Sequence, residues 1–307
     1  MKQGEKGGLA VSAAKLTALR DNIFEPAHRA ITDWQDFPWH RDRRLQVQAD
    51  KVQSSQALAI DVFGAIKTAC EESRNTVLDA IARMAGLPAG GPWEVELEWS
   101  DPNNLLRERR RTQVDALAVG QHAIMVIECK FTETGGSCSQ TNRINTGPAA
   151  GQRQCNGRYE LQTHPVSGAV AHCALSAKGI RYWDVIPRIF DLDPVGAYAP
   201  CPFKGEAFQW MRNIVLAEEL GRDQAKAARC IIAYAEGGGF PTEEKIMNLD
   251  WLPAFIGGAR APFAISFQQI AGIAREADGD SRWADLAAWI ARKVALVRRN
   301  PPVLQDC

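Results

Sequence analysis

The sequence predicts an α/β sandwich followed by a mainly helical C-terminal part. Three observations predict it. Apolar residues recur at helical spacing across 54–84, strand-like alternation over 93–99 leads into a more apolar hairpin at 112–130, and helical spacing returns beyond about residue 202. With 307 residues and 46% of them hydrophobic, the chain has ample material for a buried core, as one large domain or a core with appended subdomains. Lysine plus arginine number 36 and aspartate plus glutamate 36, so any phosphate-binding surface has to be a local basic patch. Eight cysteines without a CxxC pair, and an N-terminal stretch without an apolar signal region, predict a cytoplasmic protein with reduced thiols. No apolar run approaches the roughly eighteen residues of a membrane helix, so no membrane role is expected.

Residues 1–53 read as an N-terminal arm or cap. Its Trp34, Phe37, Trp39, His40, Arg41, Arg43 and Arg44 are read first as packing onto the core and second as nucleic-acid contacts. An α/β core is expected over 54–200. Ser54 or Ser55 caps a helix whose stripe is Leu58, Val62, Phe63, Ile66 and Cys70, and a second stripe of Val77, Leu78, Ile81 and Met84 ends at Gly86 and Pro88. Residues 93–99 place Val95, Leu97 and Trp99 on one face of a strand and Glu94, Glu96 and Glu98 on the other. The turn Asp101-Pro102-Asn103-Asn104 then leads to a basic cluster, Arg107, Arg109, Arg110 and Arg111. After the hairpin, 132–150 is polar enough for an active-site rim, 152–161 has a helical pattern, and 169–177 is a strand candidate. Residues 201–307 are read as a helical layer or subdomain, with helices over 206–220, 224–235, 243–255, 263–277 and 281–299.

The hairpin TQVDALAVGQHAIMVIECK carries the chemistry. Ala123 to Ile127 should be a buried strand, yet Glu128 and Lys130 follow directly, where desolvating a charge is expensive. A two-residue turn at Gly120-Gln121 pairs Val119 with His122 and Asp115 with Val126. In that register Asp115, Val126, Glu128 and Lys130 share one face, with Asp115 diagonal to Glu128 at roughly 7 to 8 Å. Two carboxylates so placed suit a hard cation such as Mg²⁺ or Mn²⁺, with the Cys129 backbone carbonyl as a third oxygen ligand and its thiol turned away into the core. Such a cation polarises a phosphate and acidifies water, while Lys130 orients or deprotonates that water or stabilises the transition state.

Asp115 followed by Glu128-Cys129-Lys130 resembles the D…(D/E)xK signature of the PD-(D/E)xK, or restriction-endonuclease-like, nuclease superfamily. The helix beginning Ser54-Ser55-Gln56-Ala57-Leu58-Ala59 and continuing Val62-Phe63-Gly64 is similar to the one preceding the catalytic hairpin in an uncharacterised bacterial branch, so the resemblance covers roughly residues 50 to 200. It implies a restriction-endonuclease-like core, a mixed four-stranded sheet flanked by helices, and Mg²⁺-dependent cleavage of DNA, with restriction or antiphage defence as a plausible setting. By the same resemblance Asp115 and Glu128 are the metal ligands and Lys130 the catalytic lysine; DNA is the partner, and a homodimer is left open. Val114 stands where the named pattern has proline. A QxxxY motif on the following helix is not matched either, because Gln154 precedes Tyr159 by five positions and Gln152 by seven.

Further candidates surround this centre. Glu96 or Glu98 would be an accessory carboxylate, although alternating glutamates usually mark a solvated face. Gln56 and Asp61 would reach the metal edge from the long helix, Gln152 and Gln154 would line the site, and Arg107, Arg109, Arg110 and Arg111 would anchor phosphate. Some nucleases of the superfamily it resembles bind an iron-sulfur cluster through four cysteines; Cys138, Cys155, Cys173 and Cys201 are spaced widely and irregularly and read as scattered free thiols. The five histidines form no HxH or HExxH pattern. Two other classes compete with the nuclease: a catalytically inactive nucleic-acid-binding protein on the same fold, and a helical interaction protein whose α/β half is a scaffold.

Overall fold

The apolar run after the hairpin turn becomes the centre of the molecule. In the computed structural model, which describes residues 10–133, 135–190, 201, 203–205, 207–247 and 260–299, this run lies in strand β3 (Ala123–Lys130), and all eight of its residues are buried. On one side it pairs antiparallel with β2 (Gln113–Val119), which pairs antiparallel with β1 (Glu94–Ser100). On the other side β4 (Ala227–Tyr234) and β5 (Phe263–Ser266) run parallel to it, giving a mixed five-stranded sheet in the order β1-β2-β3-β4-β5. A parallel neighbour requires a crossover, and residues 131–226 supply one.

Helices cover both faces. After α1 (Ala13–Asp21) in the arm, a long helix of residues 55–67, α2, is α-helical over Ser55–Ala59 and Ala65–Lys67 with a π turn at Ile60–Gly64 between them; Ser54 caps it. It lies on one face together with α3 (Glu71–Met84), α5 (Phe267–Asp278) and α6 (Ser281–Arg299), covering Ala116, Met125, Ile127, Cys129 and Ile231. The opposite face receives α4 (Phe208–Gln224), whose Trp210, Ile214 and Val215 pack on Leu117, Val126 and Ile232. The arm's Trp39 joins the first core and Trp34 and Phe37 pack against it, so its aromatics are used in packing. Buried Asp61, in the π turn, ties α2 to α6 by accepting from Lys293 Nζ at 2.6 Å and Trp289 Nε1 at 3.0 Å. It therefore faces α6 and not the metal edge.

Four stretches differ from the sequence expectation. Residues 224–235 were expected to be helical but form β4 after the end of α4. Both faces of this strand are covered, so its apolar run is continuous and carries no period-two signature. The pattern over 263–277 splits into β5 and α5 at Ser266, whose hydroxyl and the Gln269 side chain form a capping box. No helix forms over 152–161, and the strand expected over 169–177 shrinks to Val170–Ala171, which pairs with Gln162–Thr163. The helix expected over 243–255 is present at Pro241–Met247; the remainder of that range lies outside the described residues. Among the described residues no helix is long and apolar enough to cross a membrane.

The hairpin turn also shifts. Val119 pairs with Ile124, so the two turn residues are Gln121 and His122, with Gly120 donating its N–H to the Ala123 carbonyl at 2.9 Å. Gly120 is needed for space: a Cβ there would stand 2.9 Å from the indole of buried Trp93. The register thus moves by two residues, an even number, and every side chain keeps its face.

Candidate active site

Register assembles the site. Between β2 and β3, Ala116 pairs with Ile127, so the next opposed pair is Asp115 and Glu128, directly across from each other where the sequence placed them on a diagonal. Between β1 and β2, Leu97 pairs with Ala116 and Trp99 with Val114, which sets Glu98 opposite Asp115. Glu98, Asp115 and Glu128 therefore form a carboxylate row across three adjacent strands, all buried. At Glu98 the backbone enters the left-handed region (φ 50°), and alternation breaks: Leu97 packs with the core under α2, and Trp99 with the core under α4. Such a conformation in a non-glycine residue costs on the order of 1–3 kcal/mol and tends to persist where function holds it.

Each carboxylate has a distinct set of partners. Glu128 Oε1 accepts from Lys130 Nζ at 2.5 Å and from the Gln209 amide, and its Oε2 accepts from Asn213 Nδ2 at 2.6 Å. Asp115 Oδ2 accepts from the Cys129 N–H at 2.7 Å. Glu98 Oε2 accepts from Gln113 Nε2 at 2.6 Å and lies 3.2 Å from His40 Nε2, while its buried Oε1 has no hydrogen-bond partner among the described residues. His40 is brought in from the arm by Gln56, which accepts the His40 N–H at 2.8 Å and donates to the Pro38 carbonyl at 3.1 Å. The row opens into a cavity of about 420 Å³ lined also by Arg110, Arg111, Glu133 and Arg212.

Charge in this row is poorly compensated. Burial, then repulsion from Glu128 and Glu98, holds the Asp115 carboxyl well above the usual range, against the attraction of Lys130 and His40. Burial acts to lower His40, but its hydrogen bond to Glu98 and the charges of Glu98, Asp115 and Glu128 prevail and push it up to about 9. Burial likewise opposes charge on Lys130, and Glu128, Glu133 and Asp115 reverse that and raise it. A group of acids this close, one with an orphaned oxygen, is suited to a cation. Among the described residues His40, Glu98 and Asp115 bring ligand atoms within 4.8 Å of one another, a donor set of two carboxylates and one imidazole. Glu128 sits beside that group with both oxygens engaged.

The remaining candidates divide clearly. Glu96 is exposed on β1 and lines no described cavity, whereas Glu98, two residues on, enters the row. Gln56 contacts the His40 loop rather than the carboxylates. Gln152 is exposed in a turn, and Gln154 bonds to His164 at 3.2 Å; neither reaches the cavity. Arg110 and Arg111 line the cavity, Arg109 lines the adjoining one, and Arg107 lines neither. The thiol of Cys129 points into the core under α2, and burial raises it far above the usual thiol range. Sequence reasoning read His40 only as an arm residue and did not single out Gln209, Arg212 or Asn213. Two of these carried a usable signal, since Gln209 and Asn213 stand four residues apart on one helix face.

Residues 10–239 match the family model described as restriction endonuclease associating with ARP. No curated protein and no solved structure matches the chain.

Proposed function

Because the chain belongs to the family of restriction endonucleases associating with ARP, we propose that it is a metal-dependent nuclease hydrolysing DNA phosphodiester bonds, with Mg²⁺ as the working cation and Mn²⁺ able to replace it. The observation that carries this reading is the row Glu98, Asp115 and Glu128 with Lys130 at its end, opening onto a cavity edged by arginines. Glu98 and Asp115 would hold the cation, with Glu128 and the Cys129 carbonyl beside them. Within a strand a residue's N–H and C=O leave on the same side, and the Cys129 N–H already faces Asp115. When bound, such a cation polarises a phosphoryl oxygen and lowers the pKa of water. Lys130, held charged by Glu128, stabilises the negative charge that gathers on phosphate and does not serve as a base. Gln209 and Asn213 fix the Glu128 carboxylate and so the ammonium that pairs with it. Arg110, Arg111 and Arg212 position the phosphate backbone.

The intact row favours catalysis over the two binding-only readings, since a scaffold has no use for three acids crowded at a raised Asp115. Cleavage of circular and linear, single- and double-stranded DNA with and without Mg²⁺ tests the proposal. Cleavage that stops on chelation is expected; DNA retention without cleavage under every cation would favour the inactive binding protein. Measuring particle mass under assay conditions decides whether a homodimer presents two such sites.

A further inference from the structure

Cys138, Cys155, Cys173 and Cys201 are far apart in sequence, yet the fold gathers them into one corner. The Cys138 thiol lies within electrostatic reach of Cys155 and Cys173, and Cys201 within reach of all three. The backbone laces their loops together. Cys155 N–H donates to the Gln140 carbonyl at 3.1 Å, Cys201 N–H to Gly157 at 2.8 Å, and Cys138 N–H to Lys204 at 3.2 Å. One of the sulfurs meets the N–H two residues further along the chain: Gly157 N–H donates to Cys155 Sγ at 3.3 Å. Burial pushes the Cys138 and Cys201 thiols up to about 11, against the N–H groups of Gln140 and Phe203. An N–H directed at a cysteine sulfur stabilises a thiolate. Between Cys138 and Cys173 the chain has little else to hold it: its regular structure there is two-residue strands and a single 3-10 turn. No disulfide joins these thiols.

We infer that Cys138, Cys155, Cys173 and Cys201 form a structural tetrathiolate site for one zinc ion. Four sulfurs are the donor set of a closed zinc site, and a small segment without a core of its own is where such a staple is needed. Binding releases the thiol protons to solvent and changes no oxidation state. Among the described residues only His40, Glu98 and Asp115 bring ligand atoms within 4.8 Å, so the sulfurs stand wider than a closed site and binding would draw their loops together. The consequence reaches the candidate active site. The segment walls a basic cavity that includes Arg109, Lys178 and Tyr182 and shares Arg110 and Arg212 with the carboxylate cavity.

Elemental analysis of the full chain, purified without chelator from zinc-supplemented cells, is expected to find one zinc per chain. Cys155→Ser and Cys173→Ser should lower zinc affinity by more than the roughly 10- to 100-fold that loss of an outer-shell partner costs. Exposed Cys70→Ser and the row variant Asp115→Asn should keep the ion. Where the serine variants do not fold, cobalt exchanged into the wild-type chain should show thiolate charge-transfer absorption. A native chain without zinc and without that absorption overturns the inference. So do zinc retained by a folded Cys173→Ser chain, zinc lost on Asp115→Asn, or iron with acid-labile sulfide in its place. None of these outcomes depends on whether the chain cleaves DNA.

Discussion

Asp115 sits in the most costly position of the row, opposed by Glu98 on one side and Glu128 on the other, with a carboxyl held well above its usual range by burial and by those two neighbours. Without a cation, removing its charge should relieve the fold. Asp115→Asn protein is therefore expected to melt above wild type in metal-free buffer, and saturating Mg²⁺ should raise the wild type more than the variant. Thermal denaturation with and without Mg²⁺ checks this, and a variant that melts lower without metal would count against a strained row. The sequence made Asp115, Glu128 and Lys130 legible, because charge directly after a buried run conflicts with local chemistry. Glu98 was hidden among Glu94, Glu96 and Glu98, three like residues at period two; only the backbone break at Glu98 separates it from the solvated pair. His40 was hidden because its link to the row is tertiary, through Gln56.

At the scale of elements, the buried pair between α2 and α6 is the most testable joint. Burial pushes Asp61 up and Lys293 down, and in each case it prevails over their mutual attraction. The signs follow from linkage. Asp61, raised in the fold, contributes stability that is present below its unfolded pKa and is lost as pH rises through the folded one. Lys293, depressed in the fold, contributes stability that is present above its unfolded pKa and is lost as pH falls through the folded one. Near neutrality the pair is at its least favourable, so wild type should lose stability relative to an Asp61→Leu/Lys293→Met double variant between about pH 4 and neutral. The single change Lys293→Met should cost about 3–5 kcal/mol by stranding a buried carboxylate, and the double change much less. Urea titrations of the three proteins decide; a double variant as unstable as the single one would refute the account. Elements with one solvated face or clear caps were readable from sequence, as for the helix starting after Ser54 and the strand at 94–100. β4 was misread because burial on both faces erases periodicity.

The whole molecule is formally neutral, so the DNA binding proposed for it has to come from the placement of charge. Arg110, Arg111 and Arg212 converge on the carboxylate cavity, and Arg107 does not. Each change of the first three to alanine is expected to lower the slope of log affinity against log salt by about 1, with Arg107→Ala leaving it unchanged. Equal effects from all four would mean a diffuse basic surface. The fold class was legible from element order alone, while the fourth and fifth strands and the convergence of arm, hairpin and α4 required long-range pairing that no local pattern encodes. The most direct test of the central claim is plasmid cleavage in Mg²⁺ by wild type, Glu98→Gln, Asp115→Asn and Lys130→Met, each verified as folded by circular dichroism. The row predicts cleavage by wild type and losses of at least about 100-fold in every variant; cleavage undiminished in all three would contradict it.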